Sequence, residues 1–518
     1  MTVHFAKVYS AQTIGLRANI INVETDITRG TLYAFSVVGL PDKAVEESRD
    51  RISAAIKHAG FVSPKNQGQK IVIALAPADI KKEGPSFDVP MALSYLSANG
   101  DIIFDPAKKL FLGELSLDGV VRPIKGVLLL VREAKRRGFT EVFVPKENAE
   151  EAALIEGIAV FGVDTLLALV NHLNERQKRN KNAPRVLLTA EPPTPFEATA
   201  DDSIVDFADV RGQETAKRVL EIAAGGGHNV CMYGPPGTGK TMLARAFSAI
   251  LPPLSLEEAL EVTGIHSVAG SLRGAMISTP PFRAPHHTSS YTSLVGGGTF
   301  PRPGEITLAH RGVLFLDEFP EFETRVIEAL RQPLEDRVIN ISRVKGSETF
   351  PARFLLIAAM NPCPCGNFGS GMPCTCTASL LAKYRRKISG PIIDRIDLWT
   401  QVNRVDHHSL AEKENKTGSV EIIRSRIASA RKRQEKRFKD SPYSTNGEMS
   451  ARDIANGIGL PPKTHKKLAE HADKLNLSAR AHHKIIKIAR TIADLDGLDT
   501  IEEKHVMEAL SYRPRALA

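Results

Sequence analysis

Apolar positions in the first third of the chain predict alternating strands and helices. Ile71–Leu75 is a short apolar run typical of a buried strand, and Val142–Pro145 predicts a second one. Between them, Lys125–Arg137 has apolar residues at helical spacing and precedes Gly138, a residue typical of a helix end. This pattern indicates an α/β or α+β domain over residues 1–172.

The pattern changes twice after this domain. Residues 173–204 are charged and then rich in proline, which predicts a linker that is partly extended. Apolar runs typical of buried strands return over residues 205–403, and residues 404–518 are typical of helices. We therefore expect a multidomain α/β protein with a C-terminal helical domain.

A phosphate-binding loop is predicted after the apolar run Val230–Tyr233 and before a helix. Its residues are Gly234, Pro235, Pro236, Gly237, Thr238, Gly239, Lys240 and Thr241. The glycines allow backbone N–H groups to turn inward around a triphosphate, and the helix N-terminus favours negative charge. We expect Lys240 to reach the β- and γ-phosphates of ATP, and the Thr241 hydroxyl to ligate Mg²⁺.

A second nucleotide signal is the apolar run Gly312–Leu316, which ends in two carboxylates. With a phosphate loop upstream, we expect Asp317 to hold Mg²⁺ through water. Glu318 is then the group that polarises the attacking water.

The four clustered cysteines form two Cys-x-Cys pairs around a short glycine-rich loop. They are Cys363, Cys365, Cys374 and Cys376. In a cytosolic protein such a set is more typical of a metal site than of disulfides, and four thiolates can close a tetrahedral Zn²⁺ site. The pairs are tighter than the usual Cys-x₂-Cys spacing, so free thiols and an iron–sulfur cluster stay open as alternatives.

Two further segments are candidate DNA contacts. The connection between the phosphate loop and the Asp-Glu strand is far longer than a simple connection needs, and it contains His286 and His287. Val338–Phe350 alternates and turns near Lys345, which predicts a β-hairpin. Because Arg343 and Lys345 flank the turn, we expect their side chains to project together toward phosphate.

Composition and charge fit a nucleic-acid-binding enzyme without proving one. The 518 residues are 42% hydrophobic and 25% charged, and the formal net charge is +9. A basic chain is compatible with a polyanionic partner, although a nucleotide site also favours basic residues. No run approaches the ~20 apolar residues of a membrane span, and the N-terminus lacks a signal pattern, so we expect a cytoplasmic location and no membrane contact.

The N-terminal domain resembles the proteolytic domain of Lon. The matching segments are Lys82–Ser86, Gly113–Leu115, Arg122–Gly126 and Val144–Asn148. The resemblance places Ser86 at the nucleophile position, and it places Leu128 where the general-base lysine belongs. Since leucine cannot take a proton, we expect a Lon-protease-like fold without protease activity, and Ser86 is alternatively a turn residue that bonds backbone.

The central domain resembles AAA+ ATPases, beginning with an adenine-contacting segment at Phe207–Glu214. Asn361 follows the apolar run Phe354–Met360 and resembles sensor 1, which positions the lytic water. Arg395 matches the arginine that acts in trans on a neighbouring subunit's γ-phosphate, and Arg480 resembles sensor 2. The long insert and the hairpin before sensor 1 resemble the branch of magnesium chelatase and the MCM helicases, in which both segments point into the pore of a ring.

The whole chain resembles the YifB/ComM family of magnesium-chelatase-like AAA+ proteins. The segments that carry this resemblance are the Lon-like domain, Pro285–Thr288, Asn361–Gly366 and Leu477–Arg480. The family implies a hexameric ATPase that acts on DNA in branch migration, a step of homologous recombination in natural transformation, with recombination proteins as candidate partners. The alternatives are a magnesium-chelatase-type motor for metal insertion and a Lon-like peptidase or protein-remodelling factor.

Overall fold

The computed structural model describes residues 4–30, 32–175, 187–196, 207–298, 301–343, 346–369, 371–404, 420–441, 443–455 and 458–514. These residues form two compact units. The first unit contains the described residues up to 196 together with residues 256–277, and the second contains those from 207 to 255 and from 278 onward. Both units combine helices with sheets, which confirms the multidomain α/β class.

The strands of the first unit occur singly or in runs between its helices. They are β1 (Phe5–Ile14), β2 (Arg17–Arg29), β3 (Ala34–Val38), β4 (Gln69–Ala76), β5 (Lys109–Phe111), β6 (Glu114–Leu115), β7 (Val121–Arg122), β8 (Glu141–Pro145) and β9 (Ala159–Val163). Among the described residues, seven of them form one sheet in the order β3-β4-β2-β1-β5-β8-β9. β2 pairs antiparallel with both of its neighbours, β1 and β4, and every other neighbouring pair in this sheet is parallel. The predicted strands at 71–75 and 142–145 are confirmed as β4 and β8.

Helices cover this sheet. They are α1 (Lys43–His58), α2 (Asp88–Ala98), α3 (Val127–Arg136), α4 (Ala149–Ala152) and α5 (Leu166–Leu173). The predicted helix at 125–137 is confirmed as α3, which begins two residues later because Gly126 adopts a left-handed conformation at φ 75°. The Asp42 carboxylate caps α1 by accepting a hydrogen bond from the Val45 N–H at 2.9 Å.

The second unit is built on a parallel sheet. Its strands are β10 (Val230–Tyr233), β11 (Phe282–Arg283), β12 (Gly296–Gly297), β13 (Arg302–Pro303), β14 (Val313–Leu316), β15 (Val338–Arg343), β16 (Gly346–Pro351), β17 (Leu355–Met360) and β18 (Leu398–Gln401). The sheet order is β11-β14-β17-β10-β18, with every neighbouring pair parallel. Parallel strands buried on both faces are continuous apolar runs, which is why β10, β14 and β17 were detectable in the sequence.

The remaining helices follow in chain order. They are α6 (Glu214–Gly226), α7 (Lys240–Ile250), α8 (Leu256–Ala269), α9 (Tyr291–Val295), α10 (Glu305–Leu308), α11 (Thr324–Ala329), α12 (Arg331–Asp336), α13 (Ala378–Arg386), α14 (Gly390–Ile393), α15 (Val420–Arg437), α16 (Ala451–Ala455), α17 (Pro462–Lys474), α18 (Ala479–Leu495) and α19 (Glu503–Ser511). Short 3₁₀ turns occur at Pro64–Asn66, Pro85–Phe87, Lys146–Asn148, Phe207–Asp209, Phe319–Glu321 and Asn446–Glu448. The described elements after residue 420 are therefore all helices or 3₁₀ turns, as expected. None of the described helices is both long enough and apolar enough to pass through a lipid bilayer.

The predicted hairpin at 338–350 is confirmed as β15 and β16. The two strands pair antiparallel from Val338 opposite Pro351 to Arg343 opposite Gly346. Lys345 lies outside the described residues. A second, shorter pair is formed by β12 and β13 within the long insert.

Residues 256–277 fold with the first unit, although the sequence assigned them to the ATPase core. The Ser267 hydroxyl donates to the buried Glu151 carboxylate and accepts a hydrogen bond from the Gly126 N–H at 2.9 Å. Gly264 allows α8 to approach α3 closely, since a Cβ there would lie 2.7 Å from Leu129 Cδ2. Burial raises the pKa of the Glu151 carboxyl, and its bond from Ser267 opposes that shift.

Part of the expected linker also contacts the first unit. The Glu191 N–H donates to the Val160 carbonyl at 2.8 Å, and the Thr194 N–H donates to the Ala153 carbonyl at 3.2 Å. The described residues 187–196 therefore pack along β9 and the end of α4. The boundary of the compact unit falls later than residue 172.

Replacing Ser267 with alanine tests how α8 is held. The change removes the donor to a buried carboxylate and the acceptor of a buried N–H, which we expect to cost about 1–3 kcal/mol of local stability. Hydrogen–deuterium exchange of the full chain should show faster exchange over α8. Arg273→Ala, which changes an exposed side chain in the same segment, serves as the control, and wild-type protection of α8 in Ser267→Ala would contradict the assignment.

Candidate functional site

The predicted phosphate loop joins β10 to α7 at the carboxyl end of the parallel sheet. Gly237 and Gly239 adopt positive φ values of 74° and 87°, which L side chains rarely adopt, and both have open space where a Cβ would lie. Gly234 approaches the chain after β18, since a Cβ there would lie 2.1 Å from the Val402 carbonyl oxygen. The Thr238 hydroxyl donates to the Pro235 carbonyl at 3.0 Å and stabilises the turn. The loop is thus shaped as a cradle whose backbone faces open space.

Lys240 is the first residue of α7, and its amine is turned into the loop. Its Nζ donates to the carbonyl oxygens of Gly234 and Pro235, each at 2.8 Å, and contacts Asn361 Oδ1 at 3.2 Å. Burial lowers the pKa of the Lys240 amine, and the nearby Asp317 carboxylate opposes that shift. The cation is therefore held at the mouth of the cradle, where a phosphate can replace carbonyl oxygens as its partner.

The two residues expected to hold Mg²⁺ lie together. Asp317 follows β14, and its Oδ2 accepts a hydrogen bond from Thr241 Oγ1 at 2.8 Å. Its Oδ1 accepts from the Glu318 N–H at 2.9 Å, which fixes the carboxylate plane. A hydroxyl oxygen and a carboxylate oxygen are both suitable ligands for Mg²⁺. This ion keeps most of its bound waters and takes only one or two ligands from the protein.

Glu318 is contacted by a residue from the long insert. Its backbone is in the left-handed region at φ 51°, which is uncommon outside glycine. His287 Nδ1 lies 3.1 Å from Glu318 Oε2. The structure therefore places His287, a candidate DNA contact, at the carboxylate predicted to polarise water.

Asn361 follows β17, the strand that lies between β14 and β10. This position brings its amide oxygen to Lys240, as noted above. The Tyr384 hydroxyl on α13 donates to the Asn361 carbonyl at 3.2 Å, so this helix holds the backbone of Asn361 in place. The role of Asn361 as a sensor stays a prediction.

Arg395 and Arg480 share a carboxylate that the sequence did not indicate. Arg395 Nη2 contacts Glu335, and Arg480 Nη2 lies 3.7 Å from Glu335 Oε1. Lys484, one turn after Arg480 on α18, donates to the Ile396 carbonyl at 3.0 Å and ties that helix to the Arg395 segment. In the described part of the chain, the contacts of both guanidiniums are with Glu335 and the Pro391 carbonyl, and not with the phosphate loop.

The four cysteine sulfurs converge. All four Sγ atoms lie within 4.8 Å of one another. The distances from Cys363 to Cys365, Cys363 to Cys374 and Cys365 to Cys374 are 3.3, 3.8 and 3.6 Å. A tetrahedral ion with Zn–S bonds of about 2.3 Å separates its sulfurs by about 3.8 Å, so the cluster fits a Cys₄ site.

Backbone N–H groups donate to two of the four sulfurs, whereas burial and the neighbouring thiols raise the pKa of the Cys374 and Cys376 thiols. The Phe368 N–H donates to Cys363 Sγ at 3.3 Å. The Asn367 N–H lowers the pKa of the Cys365 thiol to about 5. The same loop packs on the phosphate loop, since a Cβ on Gly366 would lie 2.6 Å from Pro236 Cδ.

The long insert and the β15–β16 hairpin contact each other. Arg283 on β11 forms a two-point ion pair with Glu305 at the start of α10, with distances of 2.6 and 2.7 Å, and so closes the insert at its base. A Cβ on Gly296 would lie 2.9 Å from Ile341 Cδ1 on β15. Both candidate DNA-binding segments, with His286 on one and Arg343 on the other, therefore belong to one continuous part of the second unit.

The basic helix α15 uses much of its charge within the chain. Arg424 and Arg431 donate to the carbonyls of Ala249 and Ala224. Arg426, Arg433 and Arg437 pair with Glu221, Asp499 and Asp494. These contacts give the five arginines a structural role within the chain.

In the first unit, the two key positions of the Lon resemblance, Ser86 and Leu128, differ in their surroundings. Leu128 is 1% exposed and packs in an apolar cluster on α3. Ser86 lies in the turn before α2, and its carbonyl accepts a hydrogen bond from the Gly113 N–H at 3.2 Å. The position that would carry the base is thus an apolar core position.

Comparison with known families covers most of the chain. A family described as magnesium chelatase, subunit ChlI, matches residues 206–410, and one described as subunit ChlI of Mg-chelatase matches residues 23–148. A third, the ChlI C-terminal family, matches residues 417–513.

Two of the relatives match over nearly their whole length, and a third matches over a shorter segment. The protein named YifB of Salmonella typhimurium is 40% identical over 510 residues, which is 98% of this chain and 97% of the relative. The competence protein ComM of Haemophilus influenzae is 39% identical over 513 residues, again 98% and 97%. A DNA replication licensing factor, mcm-6 of Caenorhabditis briggsae, is 26% identical over 189 residues, which is 36% of this chain and 20% of the relative.

Gly234→Ala tests the close approach of the phosphate loop to Val402. The added methyl group would meet a backbone carbonyl, and overpacking of this kind costs about 1–3 kcal/mol. We expect a lower unfolding temperature of the full chain, measured by differential scanning calorimetry. Gly390→Ala, at a site with nothing within 4 Å of the new Cβ, is the matched control, and equal unfolding temperatures for the two variants would refute the crowding.

Proposed function

The chain belongs to the magnesium-chelatase-like family that includes YifB and ComM, and we propose that it is a ring-forming AAA+ ATPase that couples ATP hydrolysis to movement on DNA. Membership of this family supports ATP hydrolysis. The finer assignment is branch migration of DNA in homologous recombination during natural transformation. The relative named competence protein ComM supports this assignment, because it is 39% identical to this chain over 98% of its length.

The observation that carries the ATPase proposal is the meeting of separate motifs at one edge of the parallel sheet. Thr241 contacts Asp317 at 2.8 Å, and Lys240 contacts Asn361 at 3.2 Å. In the proposed reaction, the loop N–H groups and Lys240 bind the phosphates of ATP, and Thr241 and Asp317 hold Mg²⁺. The ion supplies positive charge that offsets the charge developing on the phosphates.

Hydrolysis then depends on the groups that face the γ-phosphate. Glu318 orients and polarises the attacking water, and Asn361 holds its position. In a ring, Arg395 of one subunit reaches the γ-phosphate of its neighbour, and Arg480 contacts the phosphates of its own site. Glu335 contacts both guanidiniums in the structure and is the group that they would leave on engaging nucleotide.

Contact with DNA is proposed for the joined insert and hairpin. Arg343 ends β15, and His286 lies exposed on the insert that packs against the same hairpin. Lys345, which lies outside the described residues, is included on the sequence alone. A net charge of +9 favours a polyanion. The similarity of about a third of the chain to a DNA replication licensing factor supports the same assignment.

A second candidate function is a magnesium-chelatase-type motor, which uses ATP to drive metal insertion and acts on a partner protein. The descriptions of the three matching families name the ChlI subunit of magnesium chelatase, which favours it. Such a motor would respond to a protein partner and not to DNA. A Lon-like peptidase is disfavoured, because Leu128 occupies the base position.

Zinc is proposed as the metal of the cysteine cluster. The sulfur distances suit it, and four thiolates exclude Mg²⁺ on ligand softness. Bound there, the ion would hold the loop that packs on Pro236, and so stabilise the phosphate loop.

The ATPase proposal predicts that DNA stimulates ATP turnover. We expect ATP hydrolysis to rise on adding branched, single-stranded or duplex oligonucleotides. Glu318→Gln should bind ATP normally and lose nearly all turnover, because only water activation is removed, whereas Lys240→Ala should weaken ATP binding itself. Stimulation by a protein partner alone would favour the chelatase-type motor, and rapid hydrolysis by Glu318→Gln would remove Glu318 from its role.

The metal proposal predicts about one zinc per chain, measured by mass spectrometry of the purified protein. The double variant Cys365→Ser with Cys376→Ser should lose it, since two ligands cannot close a tetrahedral site. Cys231→Ala, a buried cysteine on β10, is the control and should retain it. Iron with visible absorbance would instead indicate an iron–sulfur cluster, and metal-free protein of unchanged stability would exclude a structural ion.

A further inference from the structure

The loop between the two Cys-x-Cys pairs exposes an aromatic ring. Phe368 lies in this loop and is 42% exposed. Its N–H donates to Cys363 Sγ at 3.3 Å, so the converging sulfurs fix the backbone that carries the ring. Gly369 and Gly371 follow with positive φ values of 70° and 78°, and nothing lies within 4 Å of a Cβ built on either. The ring is therefore held at the open end of a loop whose backbone is fixed.

The helix after the loop, α13, has basic side chains on its outer side. Tyr384 is 5% exposed, and its hydroxyl bonds the Asn361 carbonyl, so this side of the helix faces the core. Successive residues of a helix are about 100° apart, which turns Lys383, Arg385 and Arg386 away from that side. Lys383 and Arg386 are exposed, and Arg385 is half-buried. The solvent side of α13 is therefore basic.

No acidic residue balances this charge within the same stretch of chain. Residues 362–393 contain four basic residues and no Asp or Glu. Among the described residues, Lys387 pairs with Glu321 at 2.8 Å, and the three basic residues of α13 form no ion pair. Cations near a helix C-terminus also suit the helix dipole, so charge alone does not identify a ligand. The exposed ring is the second observation that does.

The ring and one of the cations meet. The Arg385 guanidinium carbon lies 5.8 Å from the centroid of the Phe368 ring, within the range of a cation–π contact. The loop and the helix therefore form one surface, the loop–α13 surface, made of Phe368, Lys383, Arg385 and Arg386. Proteins that bind single-stranded nucleic acids combine these two components, an aromatic face for a base and cations for the phosphates.

We propose that the loop–α13 surface binds single-stranded DNA, with one unpaired base stacked on Phe368 and the adjacent phosphates bound by Lys383, Arg385 and Arg386. This proposal rests on the proposed function, because it takes DNA as the ligand, and it adds a site outside the long insert and the β15–β16 hairpin. The ring favours a nucleic acid over an acidic protein, since an acidic protein would need only the cations. It favours a single strand over a duplex, since the bases of a duplex are already stacked on one another.

The first test measures binding of the full chain to a fluorescein-labelled strand of thymidines by fluorescence anisotropy. Phe368→Leu keeps an apolar side chain without the aromatic face, and it should weaken binding by about tenfold, an effect typical of losing one stacked base. Phe368→Tyr keeps the ring and should bind as the wild-type protein does. The affinity of Phe368→Leu for duplex DNA should not change. Phe5→Ala, which removes a ring that is 53% exposed on β1, is the control for both DNAs.

The second test measures the cations through the salt dependence of binding. The slope of log affinity against log salt is about −0.7 for each phosphate contact with a single strand, so Arg385→Gln with Arg386→Gln should flatten it by about 1.4. Lys383→Gln alone, at an exposed position, should flatten it by about 0.7. Lys432→Gln with Lys436→Gln removes two exposed charges from α15 and should leave the slope unchanged. Metal content and unfolding temperature, measured for every variant, report whether the cysteine loop is intact.

Failure of this site is distinguishable from failure of the proposed function. Wild-type protein that binds no DNA would overturn both. Wild-type DNA binding and DNA-stimulated ATP hydrolysis, with unchanged single-strand affinity in Phe368→Leu, would overturn this site alone. Equal weakening of single-strand and duplex binding in Phe368→Leu would exclude a stacked base. Polyglutamate that displaces the strand at an equal concentration of charge would assign the surface to an acidic protein instead.

Discussion

The position of β17 between β14 and β10 is the constraint on which the candidate site depends. Because the three strands are parallel, their carboxyl ends reach one edge of the sheet, and the residues that follow each strand become neighbours. The order brings Asp317 to Thr241 and Asn361 to Lys240. The buried apolar faces of the strands fix this order, so burial stabilises the geometry of a polar site that contributes little apolar surface itself.

The periphery of the site is held by contacts that link it to other elements. The cysteine loop packs on Pro236, α13 holds the backbone of Asn361, and the insert reaches Glu318 through His287. Elsewhere in the second unit, Glu335 forms ion pairs with both Arg395 and Arg480. Pro236, Asn361 and Glu318 are thus each contacted by a segment outside the phosphate loop.

Residues 256–277 add a constraint of a different kind. The chain leaves the second unit after α7, forms α8 within the first unit, and then returns to β11. The buried pair of Ser267 and Glu151 and the close approach at Gly264 hold α8 in place. A segment that is contiguous with the ATPase core in sequence is therefore part of the core of the first unit.

The sequence by itself determined the phosphate loop, the carboxylates after β14, the hairpin at 338–350 and the cysteine cluster. Each is a local pattern, in which spacing along a few residues fixes the geometry. Tertiary structure alone decided that His287 meets Glu318, that Glu335 joins Arg395 and Arg480, and that α8 packs with the first unit. These contacts join residues far apart in the chain, and neither periodicity nor residue type records them. They depend on which surfaces the packed sheets and helices bring together.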